Sequence, residues 1–436
     1  MANQVPEERR RGGKRVTPVR PVPKWDDPAV LDQGRLYAEL ERVFDICHGC
    51  RRCASLCPAF NTLFELIDGS STMGLDGLER GDYWRIVDLC HLCGRCYTER
   101  CPFVPPHRRN VDFPLLMLRA RVVRFRGRRV TLRDRLLASP DRLGRLAAVP
   151  LLGGMARMAA NSRTLRRMVR LSPDERLPAP WVGDGCGRRT RQEAGEPGVV
   201  LFATCSGSYG GSDPRSDLCA VLEHNSVAVA VLGGELCCGM ARLQLGDLER
   251  VDRARRSNVP LLAQWVERGW SIVTTEPACL QLFRYWLPLL FPADQQLRLV
   301  ADAMFDPFEY LLSLHREGRL NTTFVNHLGV VSCHLPCRVV VQDDRQPVVE
   351  VLGLVPGTHV ELLGGCCGCA GGYSFKEELH HLAREMAGPM ARRIRQVLPD
   401  HYGSTCPAAG RRMEHLLADG SRAEHPLSLL RLAYGI

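Results

Sequence analysis

Cys47-His-Gly-Cys50-Arg-Arg-Cys53-Ala-Ser-Leu-Cys57-Pro58 is the stretch on which the reading of this chain turns. It is a C-x2-C-x2-C-x3-C-P run. Three thiols at steps of three wind into a loop tight enough to offer three sulfurs to three corners of one [4Fe–4S] cube. The proline turns the chain away and sends the fourth sulfur to a different cube. Such a run predicts a second, and Cys90-x2-Cys93-x2-Cys96-x4-Cys101-Pro102 supplies it. By the crossing rule, Cys47, Cys50, Cys53 and Cys101 hold one cluster, and Cys90, Cys93, Cys96 and Cys57 hold the other. The second run has one extra residue before its last cysteine, which a one-residue bulge absorbs.

Other uses of cysteine fit less well. Zinc prefers paired C-x2-C knuckles separated by a longer loop, not three successive steps of three. A disulfide framework belongs to small secreted domains in an oxidising compartment. Buried structural cysteines have no reason to fall into two matching runs.

The chain has 436 residues, room for two or three domains with sizeable cores. Of its 20 cysteines, 12 remain outside the two runs. The net charge is +10, yet among 58 basic residues Lys14, Lys24 and Lys376 are the only lysines, so arginine content alone carries little weight. The N-terminus has no apolar run after Arg9-Arg10-Arg11, and no window reaches the roughly 18 apolar residues of a membrane span. With this many thiols, a reducing cytoplasm is expected, the chain being soluble or peripheral at the inner face of the membrane.

Residues 1–30 read as a basic, disordered, proline-containing tail. From Leu31 a helical period places Leu36, Leu40, Val43 and Phe44 on one face leading into Cys47. Phe60 to Ile67 is apolar enough to pack, and Asp82 is an expected N-cap for a helix running into Cys90. Residues 119–170 hold 15 arginines against Asp134 and Asp141, with Leu132, Leu136, Leu137, Leu143 and Leu146 at helical spacing. Such a segment is either a basic amphipathic surface for an anionic membrane or acidic partner, or a plain solvated connector. Residues 171–197, with Pro173, Pro178 and Pro180, read as a linker.

The texture then becomes α/β. Strands are expected at Val199–Phe202, Val227–Val231, Ile272–Thr274, Val330–Val331 and Val360–Leu363. Helices are expected at Leu248–Val266, Leu280–Leu290, Phe308–Leu314, Glu377–Val397 and Arg411–Leu417. This half repeats itself. Cys205 ends a strand, Cys237-Cys238-Gly239 follows, then Glu276-Pro-Ala-Cys279. In the second copy Cys337 follows a strand in Cys333-His334-Leu-Pro-Cys337, then Cys366-Cys367-Gly368, then Cys406-Pro-Ala-Ala409. Gly239 to Glu276 spans 37 residues and Gly368 to Cys406 spans 38. Side chains at adjacent positions diverge, so a doubled cysteine makes most sense gripping different irons of one cluster. The glycine lets the backbone approach.

These motifs resemble the Cys-Cys-Gly domain iron–sulfur proteins. Among them are the C subunit of anaerobic glycerol-3-phosphate dehydrogenase, the glycolate and lactate oxidase iron–sulfur subunits, and the Cys-Cys-Gly subunit of heterodisulfide reductase. Cys366-Cys-Gly-Cys-Ala-Gly-Gly-Tyr-Ser-Phe-Lys376, with His334-Leu-Pro-Cys337 before it, is most similar to the first. The Asp45-Ile-Cys-His-Gly-Cys-Arg-Arg-Cys53 opening resembles heterodisulfide-reductase-related proteins found beside rubrerythrin. The resemblance covers about residues 35–110 and 198–418. It implies an α+β multidomain chain: an N-terminal α-helical 2[4Fe–4S] ferredoxin domain, then two α/β Cys-Cys-Gly repeats. The domain limits expected are a tail 1–30, the two-cluster domain 31–115, a basic helical connector and linker 116–197, and repeats 198–325 and 326–436.

Five cysteines per repeat hold a non-cubane double cluster in heterodisulfide reductase. Here Glu276 and Ala409 stand at two of those positions. A further cluster in this half would draw on Cys205, Cys237, Cys238 and Cys279 and on Cys337, Cys366, Cys367 and Cys406, with Cys333 and Cys369 as spare thiols. Loss of metal with retention of the fold is the alternative. His48, His91 and His334 adjoin cysteines without standing at ligand positions, and Cys186 and Cys219 read as small buried apolar residues. No dinucleotide fingerprint, P-loop or Ser-His-Asp order is present, and Gly207-Ser-Tyr-Gly-Gly211 is a loose glycine cluster.

Three functions remain open at this point. The first is an iron–sulfur electron-transfer subunit relaying electrons between a partner flavoprotein dehydrogenase (or another redox protein, such as rubrerythrin) and an acceptor. The second is a catalytic thiol–disulfide or peroxide-linked reductase working in the Cys-Cys-Gly half. The third is an assembly or membrane-docking subunit. Nucleic acid is not an expected partner.

Overall fold

A computed structural model describes residues 10–11, 14–15, 23–139, 162–173, 198–202, 213–232, 237–340, 346–369 and 372–436. Cys186, Cys205, the Gly207–Gly211 cluster, Leu143 and Leu146 lie outside the described residues. The chain divides into two compact units. The first takes its described residues from 10–11, 14–15, 23–138 and 241–250, and the second takes the rest.

The first unit is helical. Helix α1 spans Gln33–Cys50, and the Asp32 carboxylate caps it by accepting from the Arg35 amide at 2.7 Å. Leu36, Leu40, Val43 and Phe44 are at most 1 % exposed, the single apolar face expected from their spacing. Helix α2, Pro58–Asp68, starts on a proline whose missing N–H costs nothing there. It buries Phe60, Leu63 and Ile67. Helix α3, Arg80–Leu89, corrects the expected cap. Glu79 is the N-cap, and Asp82 lies three residues in, its carboxylate accepting from the Glu79 amide at 3.0 Å.

Helix α4, Phe113–Arg126, corrects the amphipathic reading of the basic segment where the two overlap. Leu115 to Leu118, Ala120, Val122 and Val123 are all buried, so the helix is apolar most of the way round. Two of its arginines point at carbonyls: Arg119 Nε donates to Val30 O at 2.8 Å, and buried Arg121 donates to the carbonyls of Val87 and Cys90. Aromatic contacts tie the helices together, with Phe44 stacked on Tyr83 at 5.6 Å and Phe60 against Phe113 at 4.6 Å. Farther on, Leu132 and Leu136 are exposed.

The second unit holds two small parallel sheets. The first contains β1 (Val199–Leu201), β2 (Val229–Val231), β3 (Ser271–Val273) and β4 (Met304–Phe305) in the order β2-β1-β3-β4. The second contains β5 (Val330–His334), β6 (His359–Leu363) and β7 (His401–Ser404) in the order β6-β5-β7. Each repeat thus builds its first strand in the centre, its second on one side and its third on the other. The chain reverses its winding at the central strand, and the crevice at the carboxyl ends of the strands beside such a reversal is where α/β sheets bind ligands. Every motif cysteine of this half follows the carboxyl end of a strand in sequence.

One apolar core runs through both repeats, joining Val199, Leu201 and Leu218 to Val331, Leu352 and Leu430. Cys219 is buried in it, as its reading as a small buried apolar residue expects, and is disulfide-bonded. Met304–Phe305 and His401–Ser404 are strands that the apolar pattern did not announce.

His425 caps the last helix, Pro426–Tyr434. Its Nδ1 accepts from the Leu427 amide at 3.1 Å and its Nε2–H donates to Thr405 O at 3.3 Å, so the neutral ring is the one that fits. Burial pushes its pKa down to about 4, against the opposing pull of the Thr405 carbonyl and Asp217. With the folded value below the ordinary 6.5, this contribution to stability is complete above pH 6.5 and is lost as the pH falls toward 4. It amounts to roughly 3 kcal/mol. Thermal unfolding of wild type against His425→Asn should therefore show a stability difference that shrinks between pH 7 and pH 4.5. A difference independent of pH would contradict the assignment.

Candidate metal centres

The first cysteine run is set by how α1 ends. Cys47 and Cys50 occupy its last turn, and Arg51 takes a left-handed φ of 51° while its N–H returns to Cys47 O at 2.9 Å. The chain thereby reverses, carrying Cys53 back toward the helix end. Cys57 is the extended N-cap of α2, with Pro58 next. In the second run Cys90 closes α3, Leu92 and Gly94 have φ of 52° and 86°, and Cys96–Arg100 forms a π turn. The amide of Cys101 bonds Cys96 O at 2.9 Å, five residues back. That π turn is the bulge that takes up the extra residue of the second run.

The thiols interleave. Burial pushes the Cys47 thiol up strongly, and its next influences are the thiols of Cys101, Cys53 and Cys50. Burial also raises Cys53, to about 12, again with Cys101 and Cys50 as neighbours. Cys57, raised by burial, is next to Cys90 and Cys93 and not to the run in which it stands. Cys96, also raised by burial, has Cys93, Cys90 and Cys57 as its largest thiol influences, with Cys53 of the other group after them. Cys90 and Cys96 are buried, whereas Cys47, Cys50, Cys53 and Cys101 are half-buried. Leu92 and Phe60, 0 % and 2 % exposed, add apolar surroundings.

Among the described residues no three His, Cys, Asp or Glu side chains converge on a point that would hold one ion. A cube asks for something else, one thiolate for each of four irons. Two sets of four soft thiols, buried or half-buried, match that donor chemistry. The histidines stand aside. His48 Nε2 pairs with Asp68 at 2.9 Å, and the Arg51 guanidinium shares that carboxylate and holds it down to about 2.

In the Cys-Cys-Gly half, Cys238 is buried, and side-chain hydrogen bonds with Cys237 and Cys279, then burial, push its thiol well up. Cys367 is pushed up first by its bond with Cys369 and then by burial, with Cys366 and Cys406 also near. Cys369 Sγ points at Cys367 O (3.2 Å) and Ala408 O (3.5 Å). The spare thiol at Cys369 thus joins the second repeat's group. The one at Cys333 does not: it is 1 % exposed, part of the apolar core, and raised to about 12 by burial and Asp306. Cys337 begins a short helix, Cys337–Val340, and is half-buried.

Glu276 and Cys406 occupy equivalent places. Each follows the third strand of its repeat and is an extended N-cap with a proline at the next position. Each amide bonds a hydroxyl two residues earlier, Thr274 Oγ1 at 3.3 Å and Ser404 Oγ at 3.1 Å. His334, 0 % exposed, faces the same Ser404 hydroxyl through Nδ1 at 3.0 Å.

This arrangement defines a class. Residues 40–126 match the Fer4-like domain of citrate utilization protein B, and residues 199–284 and 331–408 each match the cysteine-rich domain. The chain carries a Fer4-like domain followed by two cysteine-rich domains, an iron–sulfur protein of the oxidoreductase and electron-transport kind. It is similar to the C subunit of anaerobic glycerol-3-phosphate dehydrogenase from Escherichia coli (strain K12) and from Escherichia coli O157:H7. Each is 25 % identical over 315 residues, which is 70 % of this chain and 78 % of the relative. No helix among the described residues is long and apolar enough to cross a membrane.

Gly239 and Gly368 both have positive φ, 105° and 64°. A Cβ on Gly368 would also sit 2.6 Å from the Ala383 carbonyl. Gly368→Ala should cost about 1–3 kcal/mol locally and displace the adjoining Cys366 and Cys367. If that half holds iron, iron analysis should then show a loss that leaves iron bound by the N-terminal cysteine runs unchanged. Unchanged iron in that half would show that the turn does not govern the site.

Proposed function

We propose that this chain is the iron–sulfur electron-transfer subunit of an oxidoreductase, relaying electrons between a flavoprotein dehydrogenase and an acceptor. The observation that carries the reading is the interleaving of the two N-terminal runs, with Cys57 among the thiols of the second and Cys101 among those of the first. Cys47, Cys50, Cys53 and Cys101 would hold one [4Fe–4S] cluster; Cys90, Cys93, Cys96 and Cys57 would hold another. Bound clusters supply one-electron carriage with little rearrangement. The protein's own part is to bury the sulfurs and set their hydrogen bonds. The half-buried first group is the end suited to exchange with a partner.

Cys237, Cys238 and Cys279 with Cys205, and Cys366, Cys367 and Cys406 with Cys337, would supply a further cluster in the second half. A cytoplasmic setting, peripheral to the membrane through a partner subunit, fits the similarity to a dehydrogenase subunit. A second reading, a thiol–disulfide reductase, is favoured by one observation, the Cys369 thiol that joins the second repeat's group.

The test uses the full chain purified without oxygen. Reduced protein should pass electrons to a flavoprotein or viologen acceptor and turn over no organic disulfide. Cys57→Ser should perturb the EPR signal that Cys93→Ser also perturbs, and leave the one sensitive to Cys50→Ser. Disulfide turnover that disappears in Cys369→Ala would replace the relay with the reductase. Loss of the Cys50-dependent signal in Cys57→Ser would overturn the crossed assignment.

A further inference from the structure

The two repeats meet at their cysteine loops. Helix α5, Pro277–Gln281, begins one residue after Glu276 and packs against helix α6, Cys337–Val340. Arg338 makes the join. It follows Cys337 directly, is 7 % exposed, and reaches two residues of the first repeat. Its Nη1 donates to Gln281 Oε1 and lies 3.5 Å from Met240 Sδ. Gln281 is two residues past Cys279 and Met240 two residues past Cys238, so one guanidinium is held beside the cysteine segments of both repeats. Gln281 and Met240 are buried and neutral, and these two contacts hold the guanidinium in place.

We propose that Arg338 is the built-in counter-charge of the iron–sulfur site in the Cys-Cys-Gly half, a positioning residue that both repeats hold in place and that sets this site's reduction potential. The proposal rests on the reading that this half carries a cluster. Reduction adds one electron, and therefore one negative charge, without making or breaking a bond. A fixed cation in a medium of low effective dielectric favours that added charge more than surface cations do. Net charge and hydrogen bonding around the sulfurs are the levers by which proteins set cluster potentials.

The experiment is an anaerobic dithionite titration of the full chain followed by EPR, reading the midpoint of the signal that Cys366→Ala abolishes. Arg338→Met should lower that midpoint, Arg338→Lys should stay close to wild type, and the Cys50-dependent N-terminal signal should not move. Gln281→Glu, nearly isosteric, places a carboxylate on the guanidinium and should lower the same midpoint. This variant keeps the test alive if Arg338→Met fails to retain iron. Met240→Leu is the packing control and should leave the midpoint alone. An unshifted midpoint in Arg338→Met or Gln281→Glu, or an equal fall in Arg338→Lys, would overturn the counter-charge while leaving the cluster reading intact. Absence of iron from this half of wild type, seen as no loss on Cys366→Ala, would overturn both.

Discussion

On the proposed assignment the first unit answers to one constraint: each group of four thiols is closed by a residue from the other cysteine run. A tightly wound C-x2-C-x2-C loop delivers three sulfurs and then has no room to return a fourth. Pro58 and Pro102 direct the chain away, and α2 carries Cys57 into the neighbouring group. The helices are packed to hold that exchange in register. Arg121, buried in α4, fixes the carbonyls of Val87 and Cys90 where α3 gives way to the second loop. Losing that guanidinium would leave buried carbonyls unsatisfied at the point where Cys90 is aimed.

The second unit reaches a comparable concentration of sulfur by other means. Its strands are short and parallel, and the order β2-β1-β3, repeated as β6-β5-β7, brings three loops of each repeat to one end of its sheet. Doubled cysteines after the second strand need a backbone turn that only glycine enters without strain, which Gly239 and Gly368 provide. Gln281, His334, Ser404 and Arg338 are buried next to these loops in sequence. Buried polar groups of this kind are costly unless satisfied, and Ser404 is: its hydroxyl donates to His334 O and accepts from the Cys406 amide.

Much of this was legible in the sequence because cysteine spacing and apolar period are local signals. Leu36, Leu40, Val43 and Phe44 declare α1, and the helices Leu248–Val266 and Glu377–Val397 end where their periods end. The misses have physical causes. The strand His401–Ser404 contains Gly403, whose missing Cβ admits the Glu424 carbonyl where that atom would stand, so contact with the backbone replaces apolar alternation. Met304–Phe305 is too short to show a period. The arginines of α4 hid a core helix because long side chains can satisfy carbonyls from within a packed face. Cys333 and Cys369 looked alike beside their motifs. A strand turns the first into the core, and the left-handed Gly368 turns the second toward Cys367.

The central claim is that thiols drawn from both runs hold iron and sulfide to carry electrons. Its most direct test is a count of iron, acid-labile sulfide and zinc per chain in anaerobically purified full-length protein. Two filled cubes in the N-terminal domain require about eight irons with a matching amount of sulfide, and occupancy of the Cys-Cys-Gly half raises both together. Stoichiometric zinc with no labile sulfide would contradict the account.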